Sequence, residues 1–555
     1  MDSKEIYFKL DGALFEKIVT AGADKLWANK KEINDLNVFP IPDGDTGDNM
    51  YMTASGGIGA IKREDSQSVA AKSAALARGM LFGARGNSGV ILSQFFEGIA
   101  RGLNGYEVAD PEIFASALSS GVKKAYSSVE RPVEGTMLTV LRESVEYASA
   151  RLSADSSLNS LMLDVVAEMR RSLDRTPELL EVLMEAGVVD SGGAGVLKIA
   201  EGMLGALLGE SYESAAMGTE AKDIDFSKFG EDSVMTFGYC TELLLQLQRC
   251  KVDPESFSEK VIVEYLETIG DSIVAVKTGS IVKLHVHTLE PYRVLEFCQR
   301  FGEYLTVKIE NMTLQHNETG EDFATKRKKK PKGKRKKFAL VTVANGDGMT
   351  EAFRESGADF VIDGGQGNNP SIDDFIDSFD TVNADDIFVL PNNGNIIMAA
   401  KQAASMYEGS SVHVIETKNF GEAYSILSML DYSSGNAEDI EAEMRVNMQG
   451  SVTGMITSSI RSVTLDGVDV KEGEYIGFTN KTMLTSSSSL TDTFGELADK
   501  LSAKEKSFMV LFIGRDVSND IRDEVSALVE ERYPDLEFYP VDGGQDVYDF
   551  IMILE

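Results

Sequence analysis

The stretch KRKKKPKGKRKK, from Lys326 to Lys337, sets the first limit on how this chain folds, because it holds ten basic residues and no acid. Like charges at that density repel one another and resist burial, so the segment reads as a solvated linker between two folded regions. Its charge could also rest on an anionic membrane surface, as a transient contact, or on the chain's own acidic face. Acid is plentiful, since the 555 residues carry a net charge of −35 in spite of the run. Such a balance excludes non-specific nucleic-acid binding, which depends on neutralising phosphates. The length exceeds what one hydrophobic core organises. No window holds the ~18 apolar residues of a membrane span. The opening MDSKEIYFKL has no apolar stretch after its charges, so no secretory leader is expected. Three cysteines (Cys240, Cys250, Cys298) in so long a chain cannot build a disulfide framework, and a reducing compartment, the cytoplasm, is the expectation.

Patterning divides the chain into three blocks around that linker. Residues 1–210 read as helical: Leu10, Leu14, Ile18 and Ala21 lie on one helix face, and similar stripes follow at Val90–Ile99, Ile113–Val122, Leu138–Ala148 and Leu158–Met169. A small, polar stretch, SYESAAMGTEAKDIDFSKFG, separates them from an α+β block at 231–320. There SIVAVKTG, SIVKLHVHT and LTVKIENMT read as strands, while TELLLQLQRC, SFSEKVIVEYLETIG and YRVLEFCQRFG read as helices. The linker occupies 321–337. Residues 338–555 alternate strand and helix (KFALVTVANG, ADFVIDGG, DDIFVLPNN, SVHVIET), the rhythm of a parallel sheet covered by helices. The phrase DGGQ closes a strand twice, at 363–366 and 542–545. The fold class is therefore multidomain, α followed by α/β.

The most informative loop is NVFPIPDGDTGDNM, Asn37 to Met50. Pro40 and Pro42 keep its entry extended, and Gly44 and Gly47 let the backbone turn tightly enough to bring Asp43 and Asp45 together. Carboxylates clustered without a basic neighbour need a cation, and oxygen-only ligands select Mg²⁺ or Ca²⁺. An EF-hand starting at Asp43 would require Gly and Glu where Asp48 and Ala54 stand, so that reading fails. Two further loops place glycines at the start of an apolar helix: Gly86, Asn87, Ser88 and Gly89 in one, Asp190, Ser191, Gly192, Gly193 and Gly195 in the other. Free N–H groups at a helix start suit phosphate oxygens, although each loop alone equally fits ordinary capping. Neither matches a Walker or a dinucleotide motif.

NVFPIPDGDTGDNM, ARGNSGVILSQ, PVEGTMLTV and DSGGAGV, in that order, resemble the ATP-binding domain of the dihydroxyacetone kinase family. GYCTELLL, VKLHVHT, IENMTLQH, DGGQGNNPS and LPNNGNIIMAA extend the resemblance, over nearly the whole chain, to one branch of it, the ATP-binding subunits of bacterial-type fatty acid kinases. The resemblance implies an N-terminal antiparallel helical barrel, a middle α+β domain and a C-terminal DegV-like α/β domain. It implies ATP with two Mg²⁺ ions held by Asp43 and Asp45, with Asp48 and Asn37 as weaker ligands. Asn37, Thr46 and Gly47 would contact the cofactor, Asn87, Ser88 and Gly89 would touch its phosphates, and Thr136, Met137 and Asp190 would lie near the nucleoside. Thr46 stands where dihydroxyacetone kinases carry a histidine, which speaks against a triose substrate.

His285 and His287 fall at i and i+2 on a strand, and with Cys240 they make three ligands of a tetrahedral zinc site. An ordinary pair of strand histidines beside a buried thiol is the other reading of those residues; the resemblance implies structural Zn²⁺. Cys250 and Cys298 are expected in the core. The implied reaction is phosphoryl transfer to a fatty acid presented by a separate DegV-type fatty-acid-binding protein, giving acyl phosphate for phospholipid synthesis. The C-terminal block shows GQGNNPS in place of the carriers' TSQPS-type phrase, so it is expected to serve docking or homodimer formation. The acidic loop is expected at an exposed end of the bundle. A dihydroxyacetone-type kinase with a small hydroxyl acceptor and a non-catalytic ATP-sensing regulator are the alternatives.

Overall fold

The computed structural model describes residues 6–37, 44–210, 239–311 and 335–555, apart from residues 255, 259, 267, 279, 366 and 481. Among the described residues, eleven helices fill the N-terminal block: α1 (Gly12–Ala28), α2 (Lys30–Asn34), α3 (Thr46–Arg63), α4 (Val69–Phe82), α5 (Gly86–Leu103), α6 (Pro111–Ser127), α7 (Met137–Ala150), α8 (Leu158–Asp174), α9 (Thr176–Leu179), α10 (Glu181–Ala186) and α11 (Ser191–Leu207). Several begin on side-chain caps legible in the sequence. Asp11 accepts from the Leu14 N–H, Asp110 from the Ile113 N–H with Pro111 following, and Ser157 forms a capping box with Ser160.

The eight long helices pack each on the next, and α11 closes the ring against α1. Their apolar stripes meet in one core that includes Phe15, Ile18, Phe96, Phe114, Leu141, Val165 and Ile199. Neighbours joined by short connections run antiparallel, so the starts of α3, α5, α7 and α11 gather at one end of the barrel. Two crossings depend on glycine. A Cβ on Gly202 would lie 2.3 Å from the Ala21 carbonyl oxygen and 2.7 Å from Gly22 Cα. One on Gly79 would lie 2.4 Å from the Gly56 carbonyl oxygen.

The middle block is a separate compact unit. Its strands β1 (Tyr239–Leu247), β2 (Gly270–Thr278), β3 (Ile281–Thr288) and β4 (Gly302–Asn311) form an antiparallel sheet in the order β2-β3-β1-β4. Helices α12 (Lys260–Leu266) and α13 (Pro291–Cys298) supply its core with Ile262, Leu266 and Val294. Two expectations are corrected here. TELLLQLQRC forms strand β1 and not a helix, because Leu243, Leu245 and Leu247 are buried at period two between β3 and β4; pairing overrides the helical preference of leucine. Cys298 is buried as expected, but Cys250 follows that strand in a turn and is exposed.

In the C-terminal block β5 (Lys336–Ala344), β6 (Phe360–Asp363), β7 (Ala384–Leu390) and β8 (Ser411–Val414) form a parallel sheet in the order β6-β5-β7-β8. A second sheet orders its strands β13-β12-β9-β16-β14-β15, from β9 (Val452–Ser458), β12 (Tyr475–Thr479), β13 (Thr482–Ser487), β14 (Phe508–Ile513), β15 (Glu537–Asp542) and β16 (Phe550–Leu554). The hairpin β10 (Val463–Leu465) and β11 (Val468–Val470) projects beside it. The chain's last strand, β16, is thus interior to a sheet and wholly buried, a placement its five residues do not announce in the sequence.

Most of the basic run lies outside the described residues. Its final residues are not free linker: Lys336 and Lys337 open β5, Arg335 pairs with Asp385 and Lys336 with Asp359. The N-terminal and C-terminal blocks, read as independent domains, pack into one compact unit. Ala84 and Val90 of the helical block sit in the same core as Ala339, Val341, Phe375 and Phe379.

A matched pair of substitutions tests the glycine crossings. Gly202→Ala should force α1 and α11 apart and cost ~1–3 kcal/mol. Gly59→Ala, where an added Cβ meets nothing within 4 Å, should stabilise by ~0.5–1 kcal/mol. Thermal melts of the two proteins moving in the same direction would refute the packing account.

Candidate functional site

Four of the motif segments become four helix starts, and side-chain contacts tie them together at one end of the barrel. Asp190, before α11, accepts from the Gly193 N–H at 2.6 Å and also from the Met137 N–H that opens α7. Ser191 at the start of α11 meets Thr46 at the start of α3, Oγ to Oγ1 at 3.2 Å. A Cβ on Gly86 would lie 2.7 Å from Asn49 Nδ2, and one on Gly89 would lie 2.3 Å from Thr53 Oγ1, so α5 starts hard against α3. Each helix start contributes partial positive charge and N–H groups to this end.

The four starts are not equivalent. The Met137 and Gly193 N–H groups are used by Asp190, and the Gly47 N–H donates to Asn34 Oδ1 at 2.7 Å. Gly47 itself is required by packing, since a Cβ there would lie 2.3 Å from the Lys30 carbonyl oxygen. Gly89 closes the first helical bond to the Arg85 carbonyl, and Thr136 Oγ1 donates to the Val133 carbonyl. Among the described residues no side chain caps α5, whose first residues are Gly86, Asn87 and Ser88. The Oδ1 of Asn87 is buried without a hydrogen-bond partner among the described residues, while its Nδ2 faces the Gly394 carbonyl at 3.4 Å.

Asp45 immediately precedes α3 and is 9% exposed. Burial pushes its carboxyl up to about 6, against the opposing pull of amide hydrogen bonds from Asn49 and Asn369 and with a smaller push from the Asp48 charge. No Lys or Arg is paired with it among the described residues. Asp48 has a different position: Lys30 Nζ lies 2.7 Å from its Oδ1 and Asn34 Nδ2 donates to its Oδ2 at 2.6 Å. Both oxygens of Asp48 are thus engaged within the helical block, which departs from a free metal ligand. Asp190 is likewise pushed up to about 6, by burial first. Asp43 lies outside the described residues.

Asp45, at the end of the acidic loop, is covered by the C-terminal block, where an exposed bundle end was expected. Asn369, in the loop after β6, is 2% exposed and donates from Nδ2 to Asp45 Oδ2 at 2.6 Å. Arg85 donates to the Asn369 carbonyl at 2.6 Å and lies 3.5 Å from Asp374. Arg85 and Ser371 form a β-bridge, and the Ile372 N–H reaches the Ala84 carbonyl. Arg461, between β9 and β10, donates to the carbonyls of Asp35 and Asn37, where the acidic loop begins. Sequence reasoning missed Asn369, Arg85 and Arg461. The one signal available for Asn369 was its place in DGGQGNNPS, a loop of glycine and amide residues at a strand end.

In the middle unit the register sets Cys240 opposite His287 across β1 and β3, with His285 two residues along, opposite Glu242. On the next strand Asp271 also pairs with His287. The side chains of these residues lie outside the described ones. Among the described residues no helix is long and apolar enough to cross a membrane.

Comparison with known proteins agrees across the chain. Residues 40–205 match the DAK2 domain, 236–319 the middle domain of FakA-like fatty acid kinase proteins, and 339–555 their C-terminal domain. Protein YloV of Bacillus subtilis is 36% identical over 553 residues, covering 98% of this chain and 99% of that protein. An uncharacterised protein of Staphylococcus epidermidis is 35% identical over 554 residues, covering 99% of this chain and all of its own length. Among solved structures, DegV, a fatty acid binding protein from Bacillus subtilis, covers 40% of this chain and 99% of its own length at 12% identity and a TM-score of 0.30. With full-length relatives above 30% identity and three successive matches in the same order, the chain belongs to the FakA-like fatty acid kinase family.

Proposed function

We propose that this chain transfers the γ-phosphoryl group of ATP to the carboxylate of a fatty acid held by a separate DegV-type fatty-acid-binding protein, giving acyl phosphate. The observation that carries the reading is the gathering of four helix starts at one barrel end, the first of them preceded by Asp45, a buried carboxylate with no cationic partner among the described residues. The oxygen-rich surroundings suit Mg²⁺: the Asp45 carboxylate, and the amide oxygens of Asn87 and Asn369, which have no hydrogen-bond partner among the described residues. Asp43 and Asp45 would hold the ion, while Asp48, already bound by Lys30 and Asn34, would fix the turn between them and α3. When bound, Mg²⁺ supplies charge neutralisation to the transferring phosphoryl group.

The chain's own residues do the rest. The uncapped start of α5 offers the N–H groups of Gly86, Asn87 and Ser88 to phosphate oxygens. Asp190 locks the starts of α7 and α11, so Thr136, Met137 and Ser191 form a fixed wall near the nucleoside. A fatty acid carboxylate is already ionised at neutral pH, so no general base is required of the site. The void that the described residues enclose in the barrel core is small for an acyl chain. The void among Leu92, Phe96, Leu141 and Met162 measures about 30 Å³, space for ~2 water molecules. That favours presentation of the acid by another protein.

Replacing either Asp43 or Asp45 by Asn should abolish Mg²⁺-dependent turnover, and Asp45→Asn should raise thermal stability because it removes a buried charge; full turnover in both variants removes the metal assignment. In a reconstitution with ATP, Mg²⁺ and oleate, acyl phosphate should form only with a DegV-type carrier and saturate with its concentration. Robust formation from free oleate alone would falsify the two-protein mechanism. For the middle unit we propose one structural zinc held by Cys240, His285 and His287. Metal analysis should find about one zinc per chain, lost in Cys240→Ala and His285→Ala together with protease resistance of that unit. Zinc retained in both variants contradicts the site.

A further inference from the structure

The second DGGQ-type loop and the first have different neighbours. Gly543 packs on Gly346, whereas the first loop leaves its own block and reaches the acidic end of the barrel. Its path is tightly held. Gly365 and Asn368 form a bridge, Arg85 grips the Asn369 carbonyl, and Ser371 and Asp374 close a capping box that starts the helix Ile372–Val382. The Asn369 backbone is therefore fixed on both sides. Nδ2 donates to Asp45, and Oδ1 is buried with no hydrogen-bond partner among the described residues. Leaving a buried amide oxygen unpaired destabilises a fold, so its persistence here calls for a partner. An amide oxygen beside a carboxylate is a donor set that a hard cation accepts.

We infer that Asn369 is a positioning residue of the Mg²⁺–nucleotide site, supplied by the C-terminal block to orient Asp45, so that the barrel depends on that block for its metal affinity. The inference rests on the phosphoryl-transfer reading above. Groups that hold a ligating carboxylate in place typically alter metal affinity ~10–100-fold when removed. A docking or dimerisation role for the C-terminal block requires no such contact.

The test uses the full chain and needs no fatty acid. The Mg²⁺ concentration giving half of the melting-temperature rise in saturating non-hydrolysable ATP analogue is measured for the native protein and for Asn369→Ala. The native protein should show a Mg²⁺-dependent rise. The variant should need roughly tenfold more Mg²⁺ and recover the full rise at saturation. An unchanged or lower Mg²⁺ requirement overturns the inference, the lower one marking the amide as an obstruction. A deficit that saturating Mg²⁺ does not restore overturns it too, as a purely structural role. Should Asn369→Ala not fold, Asn369→Asp keeps the size and places a second carboxylate against Asp45. Its melting temperature should then climb more steeply with Mg²⁺ than the native protein's, and an equal or shallower slope overturns the inference. Absence of any rise in the native protein would instead sink the phosphoryl-transfer reading, and this inference with it.

Discussion

A buried carboxylate with no Lys or Arg partner among the described residues is the constraint on which the rest of this structure turns. Asp45 is 9% exposed and its carboxyl is pushed up to about 6. Keeping it ionised at neutral pH costs ~3 kcal/mol relative to an exposed aspartate. Amide hydrogen bonds from Asn49 and Asn369 offset part of that cost without neutralising the charge. Asp48, a few residues away, carries a lysine and an asparagine on its two oxygens. The two aspartates thus differ in their partners, amides alone on Asp45 and a lysine with an amide on Asp48.

The barrel creates that environment by topology. Antiparallel neighbours bring alternate helix starts to one end, and glycine crossings such as Gly22 on Gly202 draw the helices close enough for those starts to touch. Asp190 then joins two of the starts through backbone N–H groups, leaving α5 as a start that no described side chain caps. The C-terminal block completes the enclosure. Its contact with the barrel combines an apolar layer, in which Ala84 and Val90 join the core of the parallel sheet, with the polar grip of Arg85 and Arg461.

Much of this was legible in the sequence, and the reasons for the exceptions are physical. The helical stripes, the strand–helix rhythm after the linker and the placing of Asp45, Asn87 and Asp190 at helix starts follow from local periodicity and loop chemistry, which a sequence carries directly. Strand β1 was misread because its leucines favour a helix until β3 and β4 pair with it from both sides. Strand β16 escaped notice because its partners, β9 and β14, are distant in sequence. Asn369 meets Asp45 across 324 residues of chain, and no periodicity encodes a contact of that kind. The burial of Asp45 was not foreseen for the same reason: Asn369, which covers it, is supplied by the C-terminal block.

The account holds that one site, built on Asp45 and closed by the C-terminal block, takes the metal and the nucleotide together. Its most direct test is a crystal structure of the full chain with Mn²⁺ and a non-hydrolysable ATP analogue, with the metal located by anomalous scattering. The account predicts manganese coordinated by Asp45, phosphate oxygens on the N–H groups of Gly86 to Ser88, and Asn369 still in contact with the Asp45 carboxylate. Manganese bound elsewhere, or bound at Asp45 only after the loop carrying Asn369 has withdrawn, would contradict it.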